Sequence, residues 1–132
     1  MIKKLLIVDD DKIFLKIFRD VLAKDYAGKY EVAVAENGID ALVKMESFHP
    51  DLIVLDIQMP QMDGIEFLRE RKRRNLGVDT PVLISSNFAD VDKISEGLEL
   101  GVKGYVVKSD YSLDAIIKQV DSLLGVSPEE VG

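Results

Sequence analysis

Aspartates stand directly after two apolar runs of the sequence, at the points where two strands of a sheet would end. Asp9 and Asp10 follow the run at 4–8, and Asp56 follows the run at 52–55. Unbroken Val, Ile and Leu runs are typical of parallel strands buried on both faces, whose carboxyl ends meet at one edge of the sheet. Carboxylates gathered there repel one another, and a divalent cation such as Mg²⁺, which takes oxygen ligands and often works with phosphate, would relieve the repulsion. The spacing therefore predicts an acidic site for a metal ion and a phosphate.

The elements that must position these acids alternate between strands and helices. Each predicted helix follows one of five apolar runs, which lie at 4–8, 30–35, 52–55, 81–85 and 104–107. This alternation favours an α/β fold with a parallel sheet, right-handed crossovers and helices on both faces. The 132 residues are expected to form one domain at 1–125, followed at 126–132 by a flexible tail or the start of a linker.

Cap residues and apolar spacing predict where the helices begin and which side of each is buried. Asp11 is predicted to cap the first helix, Asn37-Gly38 to open the second and Asp63-Gly64 to open the third. The residues expected to face the core, at helical spacing, are Ile13, Phe14, Ile17, Phe18, Val21, Leu22, Ile39, Leu42, Val43, Met45, Ile65, Leu68, Val91, Ile94, Leu98, Leu100, Ile116, Ile117, Val120, Leu123 and Leu124.

Composition excludes several classes of protein. The formal net charge of −7 weighs against binding nucleic acid through phosphate contacts, and the absence of cysteine excludes disulfides and thiol chemistry. No stretch approaches the ~20 apolar residues of a membrane span, and the basic, apolar start lacks a signal-peptide cleavage site. We therefore expect a cytoplasmic protein with no membrane or nucleic-acid partner. Arg69 and the basic run at 71–74 are predicted to form a solvated helix face.

The strand-end residues, taken together, resemble the receiver domain of bacterial two-component response regulators. The motif comprises Asp9-Asp10, Asp56 in Leu-Asp-Ile-Gln-Met-Pro-Gln-Met-Asp-Gly, Ser86 after Pro-Val-Leu-Ile-Ser, and Lys108 after Gly-Tyr-Val-Val. Each piece is common alone, and the specificity lies in their order and spacing over residues 3–124. The resemblance implies a flavodoxin-like, doubly wound sheet of five parallel strands in the order 2-1-3-4-5, with five helices.

The resemblance also implies a metal site and a phosphoacceptor. Asp56 would be the phosphoacceptor, since a carboxylate can attack a phosphoryl group and form an acyl phosphate. Mg²⁺ would be held by the carboxylates of Asp10 and Asp56 and by the backbone carbonyl of Gln58, with Asp9 acting mostly through water.

Three further residues acquire implied roles in binding the phosphoryl group and in switching. The Lys108 ammonium and the Ser86 hydroxyl would each contact a phosphoryl oxygen. Ser85 competes with Ser86 for this role, but counting from Pro81 and the strand alternation favour Ser86. Inward movement of Ser86 on phosphorylation would link the site to the face formed by helix 4, strand 5 and helix 5. Tyr105 would be the aromatic residue whose position responds to that shift.

The sequence departs from the family pattern just after the hydroxyl and after the lysine. Ser109 stands where the family usually has a proline joined to the lysine by a cis bond, and a cis bond to a non-proline residue costs ~2.5–4 kcal/mol. The isomer of the Lys108-Ser109 bond therefore stays open. Asn87 replaces a small alanine, and Phe88 would flank the path of the attacking water together with Gln58. We hypothesise that Phe88 hinders that water and prolongs the lifetime of the acyl phosphate.

By resemblance, the function is that of a single-domain response regulator. A sensor histidine kinase or phosphotransfer protein would phosphorylate Asp56, and the helix 4, strand 5, helix 5 face would then engage a downstream effector protein. Apart from its own phosphorylation and dephosphorylation, no enzymatic activity is expected. Receivers often dimerise around helices 4 and 5, so a homodimer on activation is compatible with the resemblance.

The same residues bear on three other functions. A pseudo-receiver acting as a constitutive interaction module is the alternative, supported only by Ser109 and Asn87, because none of the acids is lost. A metal-dependent phosphohydrolase with an aspartyl nucleophile would need a second acid at Gln58 and a cap domain, which the length does not allow. A flavin-binding flavodoxin is excluded, because the first loop offers acids where a flavin phosphate requires donors.

Overall fold

A computed structural model describes residues 2–87, 91–110 and 112–125. Five strands pair in parallel in the order β2-β1-β3-β4-β5, and they comprise β1 (Lys3–Val8), β2 (Tyr30–Ala35), β3 (Leu52–Leu55), β4 (Val82–Ser86) and β5 (Gly104–Val107). The described helices are α1 (Lys12–Asp25), α2 (Gly38–Phe48), α3 (Gly64–Arg74), α4 (Val91–Glu99) and α5 (Leu113–Leu124), and a 3-10 turn covers Lys108–Asp110. The predicted fold class and strand order are confirmed. The expected tail at 126–132 lies outside the described residues.

Helices cover both faces of the sheet and divide the core into two layers. Alternate strand residues such as Leu6 and Val8 pack with α2, α3 and α4, whereas Leu5 and Ile7 pack with α1 and α5. β3 is buried along its whole length, which explains its unbroken apolar sequence. Since both faces are covered, polar side chains that the central strands present can reach solvent only beyond the strand ends. Across the described residues, no helix is long and apolar enough to cross a membrane.

The predicted helix starts are confirmed at the level of individual hydrogen bonds. The Asp11 carboxylate accepts from the backbone N–H groups of Ile13 and Phe14 at 3.0 and 3.1 Å. Asn37 caps α2, and Asp63 forms a capping box at the start of α3. These side chains satisfy N–H groups that the first helical turn leaves unpaired. The chain therefore enters α1 directly after the acid pair that ends β1, whereas the segment 56–63 separates the end of β3 from α3.

The predicted buried faces were partly wrong. Ile13 is 72% exposed, and α1 instead buries Leu15, Phe18 and Leu22. The other residues that were predicted to face the core but are exposed are Ile17, Ile39, Val43, Val91 and Leu98. Their apolar arcs are wider than the strip of each helix that the sheet covers, so the flanking residues remain in water.

The prediction of a solvated basic face was wrong for Arg71. Its side chain is only 3% exposed, and its guanidinium donates to the carbonyls of Gly77 and Thr80 at 3.3 and 3.0 Å. Arg71 lies on the side of α3 that faces the loop leading to β4, so it ties that loop to the helix. Arg73 and Arg74 are surface residues that pair with Glu70 and hold the pKa of that carboxyl at about 2.

A buried ion pair joins the start of β2 to α5. The Lys29 ammonium lies 2.9 Å from an Asp121 carboxylate oxygen, and the Tyr30 hydroxyl donates to the other oxygen. Asp121 is buried, and burial together with the adjacent carboxylate raises the pKa of Tyr30. No sequence pattern predicted this cluster, because the ion-paired residues are 92 positions apart.

Replacing Asp121 by alanine should lower the free energy of unfolding by about 2 kcal/mol, because a partly buried ammonium and a hydroxyl would lose their acceptor. Urea unfolding at neutral pH measures the effect. Lys118→Ala, an exposed change on the same helix, is the control and should alter stability by less than about 0.5 kcal/mol. Equal midpoints for the two variants would contradict a stabilising role for the ion pair.

Candidate functional site

The register of β1 and β3 places Asp9 and Asp56 at the same level of the sheet. Val8 pairs with Leu55, and the next residue on each strand is one of these acids. The ladder continues past the strand ends, since the Asp56 N–H donates to the Val8 carbonyl at 2.9 Å. The two carboxylates therefore emerge together at the carboxyl edge, as the sequence predicted.

Asp9, Asp10 and Asp56 form an acidic cluster. One carboxylate oxygen from each lies within 4.8 Å of the others. Asp9 and Asp56 are only 1% and 6% exposed, whereas Asp10 is exposed to solvent. Three hard oxygen donors with one side open to water fit the coordination that Mg²⁺ prefers, a few carboxylates plus several waters.

Lys108 brings a positive charge into this cluster. Its ammonium forms an ion pair with Asp9 and lies 3.8 Å from an Asp56 carboxylate oxygen, and its side chain is 9% exposed. Lys108 begins the 3-10 turn after β5, and its bond to Ser109 is trans. A lysine side chain thus reaches the acids without the cis bond usual in the resembled family.

Burial dominates the electrostatics of the two inner acids. Desolvation raises the pKa of Asp9, against the opposing effects of the Lys108 ion pair and the Asp11 backbone N–H. Desolvation likewise raises the pKa of Asp56 to about 6, and the negative charge of Asp9 adds to the effect while Lys108 opposes it. The ionised forms of both acids are therefore unfavourable in the buried site, and a bound cation would offset that cost.

The hydroxyl candidates at the end of β4 lie beside Lys108 in the sheet. Ser85 and Ser86 are both buried, and Ser86 pairs in register with Val107, the residue before Lys108. The Ser85 hydroxyl has no hydrogen-bond partner among the residues that the structure describes. The assignment of Ser86 as the phosphoryl-binding hydroxyl stays a prediction.

The remaining predicted site residues differ in their surroundings. Gln58 is exposed, and its backbone N–H donates to an Asp56 carboxylate oxygen at 3.2 Å. Tyr105 is about half exposed on β5, at the edge of the sheet. Asn87 is exposed directly after β4. Phe88, proposed to hinder the attacking water, lies outside the described residues.

Sequence reasoning missed the contact between Phe14 and Lys108. The Lys108 ammonium lies 4.2 Å from the centroid of the Phe14 ring. Phe14 was predicted only as a core residue of the first helix, and spacing along the chain holds no signal for a partner on a distant strand. An aromatic residue one turn after the acid pair was the only clue.

Comparisons with known proteins agree with this geometry. A protein-family model, the response regulator receiver domain, matches residues 5–121. Chemotaxis protein CheY of Bacillus subtilis (strain 168) is 32% identical over 124 residues, covering 94% of this chain and 99% of that protein. The protein-glutamate methylesterase/protein-glutamine glutaminase 3 of Rhodospirillum rubrum is 35% identical over 120 residues, covering 89% of this chain but 31% of that protein.

A solved structure also superposes over most of its length. The CheY-like response regulator receiver domain protein from Methanospirillum hungatei JF-1 has a TM-score of 0.82 at 26% identity, and the match covers 95% of each chain.

Fold and site together define a flavodoxin-like α/β domain with acids and a lysine gathered at the carboxyl edge of its sheet. Within that class, the chain belongs to the response regulator receiver domain family, as the motif predicted. Membership is consistent with a switch in two-component signalling. The chain spans nearly all of the chemotaxis protein but about a third of the methylesterase.

Proposed function

We propose that this protein is a phosphorylation-activated switch whose phosphoacceptor is Asp56. The observation that carries the proposal is the convergence of Asp56 with Asp9, Asp10 and the Lys108 ammonium at one edge of the sheet. A carboxylate nucleophile, acids that can hold a cation and a lysine to neutralise charge are the groups that phosphoryl transfer to a carboxylate requires.

The donor would be a phosphohistidine of a sensor histidine kinase or a phosphotransfer protein. An Asp56 carboxylate oxygen attacks phosphorus, the phosphorus–nitrogen bond breaks, and the leaving imidazole takes up a proton from solvent water. Lys108 offsets charge that develops on one phosphoryl oxygen, and the Ser86 hydroxyl donates to another. Hydrolysis by water later returns Asp56 to a free carboxylate. Self-phosphorylation and this hydrolysis are the only reactions proposed.

Mg²⁺ is the proposed cofactor, held by the carboxylates of Asp10 and Asp56 and the backbone carbonyl of Gln58, with Asp9 acting mostly through water. When bound, the ion neutralises charge on the transferring phosphoryl group. Asp10 is the ligand that solvent reaches, whereas Asp9 and Asp56 are held by burial and by hydrogen bonds from the backbone N–H groups of Asp11 and Gln58.

The proposed output is a change at the face formed by α4, β5 and α5. Ser86 ends β4 beside β5, so its movement toward a phosphoryl group would be transmitted to Tyr105 on the neighbouring strand. Val91, Leu98 and Tyr105 expose large side chains on this side, which suits an effector protein or a second copy of the chain. Phosphorylation favours the active conformation only to the extent that the acyl phosphate interacts more favourably with that conformation than with the inactive one. The proposed location is the cytoplasm.

Intact-protein mass after incubation with acetyl phosphate, with and without Mg²⁺, tests the proposal. We expect a gain of one phosphoryl group that requires Mg²⁺. No gain in folded protein, while a known receiver is labelled in parallel, would contradict the proposal and favour a constitutive interaction module.

Replacing Lys108 by methionine should slow labelling roughly 100-fold, since loss of one charged donor to a transition-state oxygen commonly has this effect. Methionine keeps much of the side-chain length and removes the charge. The rate of mass gain under saturating Mg²⁺ measures the effect, and Lys103→Met, at an exposed residue before β5, is the control. Equal slowing by both variants would rule out a specific role for Lys108.

A further inference from the structure

The ring of Phe14 forms one wall of the pocket that holds the Lys108 ammonium. The ammonium is 4.2 Å from the ring centroid, within the range of a cation–π contact. The ring is itself held edge-to-face by Phe18, with centroids 5.7 Å apart and planes at 83°. Phe18 is fully buried in the layer between the sheet and α1 and α5, so the position of the ring is set by the core.

The acids and the ring contact the ammonium by different interactions. Asp9 forms an ion pair with the ammonium, and an Asp56 carboxylate oxygen attracts it from 3.8 Å. The ring offers the negative face of its π system, so it attracts the ammonium without adding another carboxylate charge to the site. Because little of the Lys108 side chain is exposed, water competes weakly with this contact.

The Lys108 side chain extends from a short turn, so a contact that restricts its ammonium affects where the charge lies. Lys108 opens a 3-10 turn, and its bond to Ser109 is trans. A lysine has four rotatable side-chain bonds, and placing its ammonium in one position carries an entropic cost. Phe14 limits the positions open to the ammonium and leaves it facing the acids.

We propose that Phe14 is a positioning residue for phosphoryl transfer, acting through Lys108, whose ammonium its ring face holds toward Asp56. The inference rests on the proposed function, because it assigns Phe14 a part in that reaction. Phe14 contacts neither the phosphoryl group nor the metal ion in this proposal.

Fluorinated phenylalanines at position 14 test the proposal, because successive fluorine atoms weaken the negative ring face while largely keeping the ring shape. We expect the acetyl phosphate labelling rate to fall stepwise from phenylalanine through the monofluoro and difluoro to the trifluoro ring, by roughly tenfold in total. Phe14→Leu should match the slowest of these. The same series at Phe67, a buried ring packed with the other core layer, is the control and should leave the rate unchanged.

Rates that do not follow the degree of fluorination, or that fall equally in the Phe67 series, would overturn the inference, because packing alone would then explain the effect. Urea unfolding of each variant separates loss of fold from loss of rate. If a variant is less than half folded under assay conditions, the rate of the monofluorophenylalanine variant at the same position is compared with the wild type in its place.

The contact itself has a readout that needs no phosphorylation. In carbon–proton correlation NMR, the Lys108 Cε protons should be shifted upfield by the Phe14 ring and should return to ordinary values in Phe14→Leu. An unshifted signal in the wild type would overturn the inference. A shifted signal without Asp56 labelling would overturn the proposed function and, with it, the role of Phe14. Labelling that is insensitive to the ring would overturn only the role of Phe14.

Discussion

Asp56→Asn should abolish phosphorylation and, in the absence of metal ions, make the protein more stable. The amide keeps the size of the carboxylate but is a poor nucleophile toward phosphorus, so no acyl phosphate forms. Incubation with acetyl phosphate and Mg²⁺ should leave the intact mass of this variant unchanged while the wild type gains one phosphoryl group. A gain in the variant would place the phosphoacceptor at another residue.

The gain in stability follows from the pKa of Asp56, which burial raises from 3.8 to about 6. A raised pKa means that the folded protein favours the neutral carboxyl, so the ionised form lowers stability above about pH 6. Shifts of this size correspond to about 2 kcal/mol after allowance for relaxation and water. The free energy of unfolding of the variant should therefore exceed that of the wild type by about 2 kcal/mol near pH 8. This difference should disappear as the pH falls through about 6 toward 4.

Urea unfolding in the presence of a chelator, repeated across this pH range, measures the difference. Comparing the variant with the wild type at each pH cancels the contributions of titrating groups that lie far from Asp56. Asp92→Asn, an exposed change in the first turn of α4, is the matched control and should show no such pH-dependent gain. A stability difference for Asp56→Asn that is absent near pH 8, or grows on acidification, would contradict the burial argument.

Gly64→Ala should destabilise the protein by about 3 kcal/mol, even though alanine is the better helix former by about 1 kcal/mol. A Cβ atom at this position would lie 2.4 Å from the Asp56 carbonyl oxygen and 3.0 Å from the Ile57 Cα. Both are backbone atoms, and the Gly64 N–H donates to the Ile57 carbonyl at 2.9 Å, so neither segment can move away without losing a hydrogen bond. Urea unfolding measures the loss.

Gly97→Ala provides the matched control, because Gly97 is also a buried helical glycine. There an added Cβ would meet the end of the Ile84 side chain at 2.9 Å, a group that can rotate. Its effect should stay below about 1 kcal/mol. Gly64→Ala should also slow phosphorylation, since the displaced backbone carries Asp56. A Gly64 variant as stable as the Gly97 variant would show that α3 does not need this close approach.

The sequence by itself determined the elements and the acidic sheet edge. Strand runs, the caps Asp11, Asn37 and Asp63, and the aspartates at strand ends are local signals, each written within a few consecutive residues. The strand order came from the resemblance to the family and agrees with the structure. The motif also predicted which strand ends meet, because parallel strands bring their carboxyl ends to one edge.

Only the tertiary structure decided which apolar residues are covered and which charged side chains find partners. Ile13 and Arg71 were misassigned because helical spacing shows how wide an apolar or basic arc is but does not show which strip the sheet covers. The Lys29–Asp121 and Lys108–Asp9 pairs join residues 92 and 99 positions apart. Such contacts, the Phe14–Lys108 contact and the raised pKa of Asp56 depend on the register of the sheet and the docking of helices on it. The physical reason is that helix and strand signals act over one or two turns of chain, whereas burial and charge pairing depend on distances that exist only after folding.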